Sequence, residues 1–331
     1  MLIMAVFLVA CVCARYGAVI ISMEEIFSSI TKYVTSVQMM ELNERIFFDI
    51  RLPRVVLCIF VGASLAVGGT LMQALFLNPI VEPGLIGTSS GAAFGSACYI
   101  VLGATLNFPQ SAGMLSVSSA LGAALATSLV FVLASSRQHG KSAIVSLLLT
   151  GLAVNALFMS GVAFLSYIAR DPQARSITFW SLGTLSGANW MAVWVTGMST
   201  LLCIGFSMWY AKHLNALMIG ASEAQYLGVN VRKLKTVILT INIILVAVAT
   251  SFVGIISFVG LIVPHMLRMI GGSDNRFLII RSALMGAVVL SLADLIARLV
   301  VRPAELPIGI VTSIIGVPVF IYLLRKRDYL F

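Results

Sequence analysis

Ten apolar runs recur along this chain, at 2–22, 53–77, 90–106, 112–135, 142–168, 190–211, 234–256, 258–272, 278–299 and 307–324. Most approach the roughly 20 residues that a helix needs to cross a hydrocarbon core. Inside lipid every backbone N–H and C=O must be satisfied by the chain itself, so only helices and closed barrels cross. The runs are continuous rather than alternating residue by residue, which selects helices over a β-barrel. Composition agrees: 60% of the 331 residues are hydrophobic and 10% are charged, whereas a soluble domain carries roughly 25% charged residues. The expected fold is therefore an all-α polytopic membrane protein with about ten transmembrane helices. It forms one unit over residues 1–331, with both ends on the same side. The eighth run is short and contains Pro264. The opening stretch "MLIMAVFLVACVCARYGAVII" lacks a basic leader and is long enough to span, so it reads as a first crossing rather than a signal peptide.

The net charge of +9 does not indicate a nucleic-acid partner, because no basic run is dense enough to track a phosphate backbone. Cys11, Cys13, Cys58, Cys98 and Cys203 all fall within apolar runs and read as small core residues. No H-x-x-E, C-x-x-C or carboxylate cluster suggests a stable metal site, and no catalytic residue and no cofactor are expected. If the N-terminus is inside, twelve basic residues fall on the cytoplasmic side and eight outside, with Arg15 left out. Positive charge favours the inner side. The outer arginines, Arg45, Arg51, Arg54, Arg170, Arg175, Arg298 and Arg302, need a reason of their own.

"SSRQHGKS" at 135–142 comes within one residue of the phosphate-binding pattern G-x-x-x-x-G-K-[ST], with Ser135 where the first glycine belongs. A working loop follows a strand and opens a helix, so that backbone N–H groups cradle the phosphates. Here an apolar run precedes it, and the stretch reads as a chance match rather than a nucleotide site. Two segments are too polar to span. Residues 23–50 form an external linker with a short helix, and 213–233, "HLNALMIGASEAQYLGVNVRK", reads as two short helices outside the bilayer.

The motifs "RLPR" (51–54), "GGTLMQALFLNPIVEPGLIGTSSGAAFG" (68–95), "TFWSLGTLSG" (178–187), "FVGLIVPHMLR" (258–268) and "ADLIARLVVRPAELPIGIVTSIIGVPVF" (293–320) lie in register along nearly the whole length. Together they closely resemble the permease subunits of bacterial ABC importers for iron chelates, haem and cobalamin. That resemblance implies an inner-membrane permease that pairs with a second copy, two cytoplasmic ATPase subunits and an external substrate-binding protein. It implies that Arg51, Arg54 and Arg298 meet acidic residues of the binding protein; interfacial snorkelling is the plainer alternative. It places a cytoplasmic gate at Asn78 and Ile80 and at Ala143, Ile144, Val145 and Ser146, where small and apolar residues seal by packing. It makes 213–233 the element that contacts the ATPase, through Asn215, Leu217, Gly220, Glu223, Leu227 and Gly228. A membrane-surface helix is the alternative there.

Arg170 and Arg175 are candidate contacts for carboxylates of a chelate, or braces of the external loop, or contacts of the binding protein. Asp294 and Arg298 are four residues apart on one helix face and are expected to pair; a proton relay is the second reading. His265 is read as packing at a helix break rather than as a haem ligand. An ion-coupled secondary transporter would carry ionisable residues at mid-membrane and broken helices for the coupling ion, and only Asp294 partly qualifies. Iron chelate, haem included, is favoured over cobalamin as cargo.

Overall fold

The computed structural model describes residues 1–17, 21–35, 42–106, 111–134 and 141–325. These residues form α1 (Leu2–Arg15), α2 (Met23–Thr35), α3 (Leu42–Arg45), α4 (Leu52–Phe76), α5 (Thr88–Thr105), α6 (Ala112–Ala134), α7 (Lys141–Ile168) and α8 (Asp171–Ser181). The remainder forms α9 (Trp190–Ile219), α10 (Ala221–Tyr226), α11 (Val231–Val253), α12 (Val259–Gly271), α13 (Asn275–Leu299) and α14 (Ile308–Arg325). Each of the ten apolar runs coincides with a helix. Among the described residues six helices are long and apolar enough to cross a membrane, and α1, α12 and the 308–323 part of α14 are shorter apolar helices. At 13 residues α12 is about 20 Å long, less than the roughly 30 Å hydrocarbon core.

Local chemistry sets the ends. Pro53 sits in the first turn of α4, where a missing N–H costs nothing. Asn189 Oδ1 accepts the Ala192 N–H at the start of α9, and Asn230 Oδ1 accepts the Lys233 N–H at the start of α11. Residues 213–233 differ from expectation. The first of the two short helices is the continuation of α9, whose 30 residues make about 45 Å, and α10 is the single short one. "AKHLNALMI" at 211–219 is polar enough to leave a membrane core, yet it contains no helix breaker before Gly220. The 23–50 linker holds α2, α3 and a π-helical turn (Ile46–Arg51) that runs directly into α4.

Helix α4 is the axis of the bundle, with most of its residues buried. Small residues let its neighbours reach its backbone, which is how helices associate where lipid removes the hydrophobic drive. A Cβ on Gly62 would strike the Gly286 carbonyl of α13, and one on Gly69 would strike the Gly260 carbonyl of α12. Pro264 explains the second contact. Lacking an N–H, it leaves the carbonyl four residues earlier, at Gly260, without its helical partner, and that carbonyl lies against Gly69. A second glycine seam joins α5 to α6 through Gly91, Gly95 and Gly122.

Candidate functional site

One end of the bundle gathers three arginines and two carboxylates. Arg54 donates from Nε and Nη2 to Asp294 Oδ1, at 3.1 and 2.8 Å, and from Nη1 to both oxygens of Glu305, at 3.0 and 2.9 Å. Arg298 Nε lies 2.9 Å from Asp294 Oδ2, the i,i+4 pair expected on α13. Asp294 thus lies between two guanidiniums, with its side chain 2% exposed. Helix α1 ends on the same cluster. Arg51 donates to the Ala14 and Arg15 carbonyls at 3.1 and 3.2 Å, and Arg298 donates to the Tyr16 carbonyl at 2.9 Å. A helix leaves its last carbonyls unsatisfied and carries a partial negative charge there, so both hydrogen bonding and the dipole favour cations.

This changes the expectation for the docking residues. Arg51, Arg54 and Arg298 are brought together, but all three are buried, their guanidiniums turned into the chain. Exposed charges beside them include Arg15, Arg302 and Glu305. Charge reversal at Arg54 or Arg298 would first break a buried ion cluster, and at Arg51 it would uncap α1. It is not a clean probe of docking. Arg170 and Arg175 stand exposed around α8, away from that cluster's hydrogen bonds, and the Arg170 N–H is held by Gln173 Oε1 at 3.0 Å.

Between α4 and α5 lies the "NPIVEPG" loop. Leu77, in the left-handed region at φ 51°, ends α4. Asn78 Oδ1 accepts the Ile80 N–H at 3.0 Å, so this amide closes its own turn, while Ile80 is 46% exposed at the tip. The loop is fastened to α11 and α12 by three hydrogen bonds. Glu82 Oε1 accepts the Phe258 N–H at 3.1 Å, Asn242 Nδ2 donates to the Pro83 carbonyl, and at the loop's root Gln73 Nε2 donates to the Leu261 carbonyl. Phe258 caps α12 in the left-handed region at φ 71°, immediately after the break that begins at Gly254. The other gate positions open α7. Ser146 lies in its second turn and is half-buried; the backbone of Ala143, Ile144 and Val145 is helical, and their side chains lie outside the described residues, as does the 135–140 part of "SSRQHGKS".

The opposite end presents α10. Gly220, at φ 146°, separates it from α9, and a Cβ there would strike the Glu223 carboxylate. Gly228 turns the chain at φ 82°. Ile219, Tyr226 and Leu227 are exposed apolar side chains, Tyr226 at 92%. Leu217 is not among them. It is 2% exposed and belongs to the core, because it lies on the inner face of α9, so it has no surface to offer a partner. Asn215 is also occupied inside the chain: its Nδ2 donates to Asp274 Oδ1 at 2.7 Å and its Oδ1 accepts from the Asn275 N–H and Nδ2. Asp274 is held well below the usual carboxylate range, first by the Arg276 guanidinium and then by the Asn215 amide.

Residues 2–326 match the FecCD transport family. The chain belongs to that family. Among its relatives, the hemin transport system permease protein HmuU of Yersinia pestis is 42% identical over 286 residues, 86% of this chain and 84% of that one. The vitamin B12 import system permease protein BtuC of Pectobacterium atrosepticum is 39% identical over 283 residues, 85% of this chain and 82% of that one. A solved metal-chelate type ABC transporter in an inward-facing conformation superposes with a TM-score of 0.85 at 31% identity, covering 98% of this chain and 97% of that one. This FecCD protein is thus an ABC importer permease of the multi-span membrane class.

Several residues of this FecCD permease had no role on sequence grounds. Glu305 lies in "RPAELPIG", beyond the end of α13, so no helical register links it to Arg54. Glu82 did carry a signal, since a carboxylate inside an apolar motif is costly unless something holds it. Asp274 and Asn275 lie where the chain turns from α12 into α13, and no local spacing links them to Asn215.

Proposed function

We propose that this chain is the membrane passage of an ATP-driven importer that moves an iron chelate, haem included, across the bacterial inner membrane. The observation that carries this reading is the full-length likeness to an inward-facing metal-chelate transporter. Two copies would enclose the pathway, each crossing ten times with both termini in the cytoplasm. Two separate ATPase subunits would bind nucleotide, and an external protein would deliver cargo. Cobalamin is the second reading, favoured by relatives named for vitamin B12 import at similar identity. The cargo choice is supported by the hemin permease likeness and by the exposed Arg170 and Arg175, whose charge suits chelate carboxylates.

Energy would enter at α10. Exposed Ile219, Tyr226 and Leu227 offer an apolar ridge to a groove of the ATPase, with Glu223 available to a basic rim, and Gly220 and Gly228 allow the element to project. Nucleotide binding would then shift the populations of open and closed passages. At the other end, the binding protein would dock over the arginine cluster. Its carboxylates would meet Arg302 first and reach Arg54 in place of Glu305. The gate would close through Ile80 and the first turns of α7, including Ala143, Ile144, Val145 and Ser146, with Asn78 shaping the loop. The test is ATPase association. Tyr226→Ala with Leu227→Ala should lower co-purification of the ATPase subunits about tenfold or more while the permease itself remains folded, since losing one hot-spot residue, a class rich in Tyr, costs about 2 kcal/mol or more and about 1.4 kcal/mol is tenfold. Undiminished association would remove α10 from the contact.

A further inference from the structure

The hydrogen bonds around Asn215 join two helices that the chain order does not bring together. Asn215 lies in the last turns of α9, five residues before Gly220 and so next to α10. Asp274 and Asn275 are the cap and first residue of α13. One side chain makes three bonds: Nδ2 to Asp274 Oδ1 at 2.7 Å, and Oδ1 from the Asn275 N–H at 2.9 Å and from its Nδ2 at 2.8 Å. Asn275 is fully buried. The first backbone N–H groups of a helix have no partner within it, and here α9 supplies that partner. Asp274 is further fixed by two-pronged donation from Arg276, with Nη2 at 2.7 Å from Oδ2.

Helix α13 then runs without proline for 25 residues, about 37 Å. At its far end it carries Asp294 and Arg298, and through Asp294 it holds Arg54. Midway, Gly286 brings it into backbone contact with Gly62 of α4. The chain itself connects α10 only to α9 and α11. The Asn215 bonds add a third connection, to the helix that carries Asp294 and Arg298 into the arginine cluster.

We propose that Asn215, Asp274 and Asn275 form a clasp that makes α13 the strut between α10 and the Arg54–Asp294–Arg298–Glu305 cluster. Asn215 is then a positioning residue rather than a contact of the ATPase. Displacement of α10 carries the end of α9 with it, the clasp passes that displacement to the start of α13, and the packed rod delivers it to the opposite face. The same path runs in reverse when a partner loads the arginine end. This inference rests on the reading of α10 as the ATPase contact.

The experiment uses the complete complex in nanodiscs, with ATP hydrolysis measured with and without saturating binding protein. Asn215→Ala should leave basal hydrolysis and ATPase co-purification unchanged. Stimulation by the binding protein should fall about fivefold or more, the lower range for coupling between distant sites. The exchanged pair Asn215→Asp with Asp274→Asn keeps a donor opposite an acceptor and should restore stimulation, whereas Asn215→Asp alone sets two carboxylates against each other and should not. Undiminished stimulation in Asn215→Ala overturns the clasp. Loss of ATPase co-purification in Asn215→Ala also overturns it, by making Asn215 a direct contact, and failure of the exchanged pair to assemble or recover counts against it equally. Leu227→Ala runs in parallel: if that variant leaves co-purification unchanged, the reading of α10 fails, and this is separable from failure of the clasp.

Discussion

Asp294→Asn is expected to destabilise this permease more than any other single change in the arginine cluster, by about 3–5 kcal/mol, the range for removing one partner of a buried ion pair. The carboxylate is 2% exposed and accepts from Arg54 on one oxygen while meeting Arg298 on the other. With an amide there, Arg54 and Arg298 face each other across a site from which water is excluded, and Arg51 lies close by on the same end of the bundle. Asparagine keeps the shape and one acceptor, so the loss isolates the charge. Arg298→Met should cost less, because Asp294 keeps Arg54 and the methionine still fills the space. The measurement is chemical denaturation of the purified permease in detergent, with Glu305→Gln as a more exposed comparison. Exposed pairs contribute only about 0–1 kcal/mol. If Asp294→Asn proves as stable as the parent, the cluster is not a structural one, and a functional role for a protonatable Asp294 returns.

The second large effect is steric. Gly69→Val should abolish transport and lower stability by about 3 kcal/mol or more, at or beyond the usual range for overpacking. The added side chain would occupy the position of the Gly260 carbonyl. That atom cannot move aside as a flexible side chain would, since it belongs to the backbone of α12 and is positioned by the break after Gly254 and by Pro264. Helix α12 would be levered off α4, and with it the Phe258 N–H that anchors Glu82. Gly205 serves as the control. A Cβ there meets nothing, so Gly205→Ala should change stability by less than about 1 kcal/mol in either direction. The denaturation midpoints of both variants decide the matter, and equal midpoints would refute the packing account of the α4–α12 seam.

How much of this was legible in the sequence follows from what each feature depends on. Helix positions were legible because lipid enforces long apolar runs, and all ten coincide with helices. Their place in the bundle was not. Leu42–Phe76 and Ser146–Ile168 have similar mean hydropathy, 2.3 and 1.9, yet 83% of one window is buried inside the chain and 22% of the other. In a membrane a lipid-facing side chain is as apolar as a core one, so hydropathy does not separate them; the glycines of α4 were the available hint. The extension of α9 to Ile219 was hidden because a run of polar helix formers looks like the end of a span. At the site, the Asp294–Arg298 pair was visible as an i,i+4 spacing. The Arg54–Asp294 contact spans 240 positions and the Asn215–Asp274 contact 59, separations that no local pattern encodes. Arg51, Arg54 and Arg298 therefore read as partner-facing charges, and the structure adds that they cap α1 and enclose Asp294.

The central claim is that this chain provides a passage whose driving force comes from nucleotide hydrolysis by other polypeptides. Uptake into proteoliposomes tests it most directly, with labelled hemin and labelled cobalamin supplied in parallel on the appropriate binding protein. Accumulation should require the ATPase subunits and internal ATP, and should not respond to a proton or sodium gradient imposed in their absence. Gradient-driven accumulation by the permease alone would contradict it.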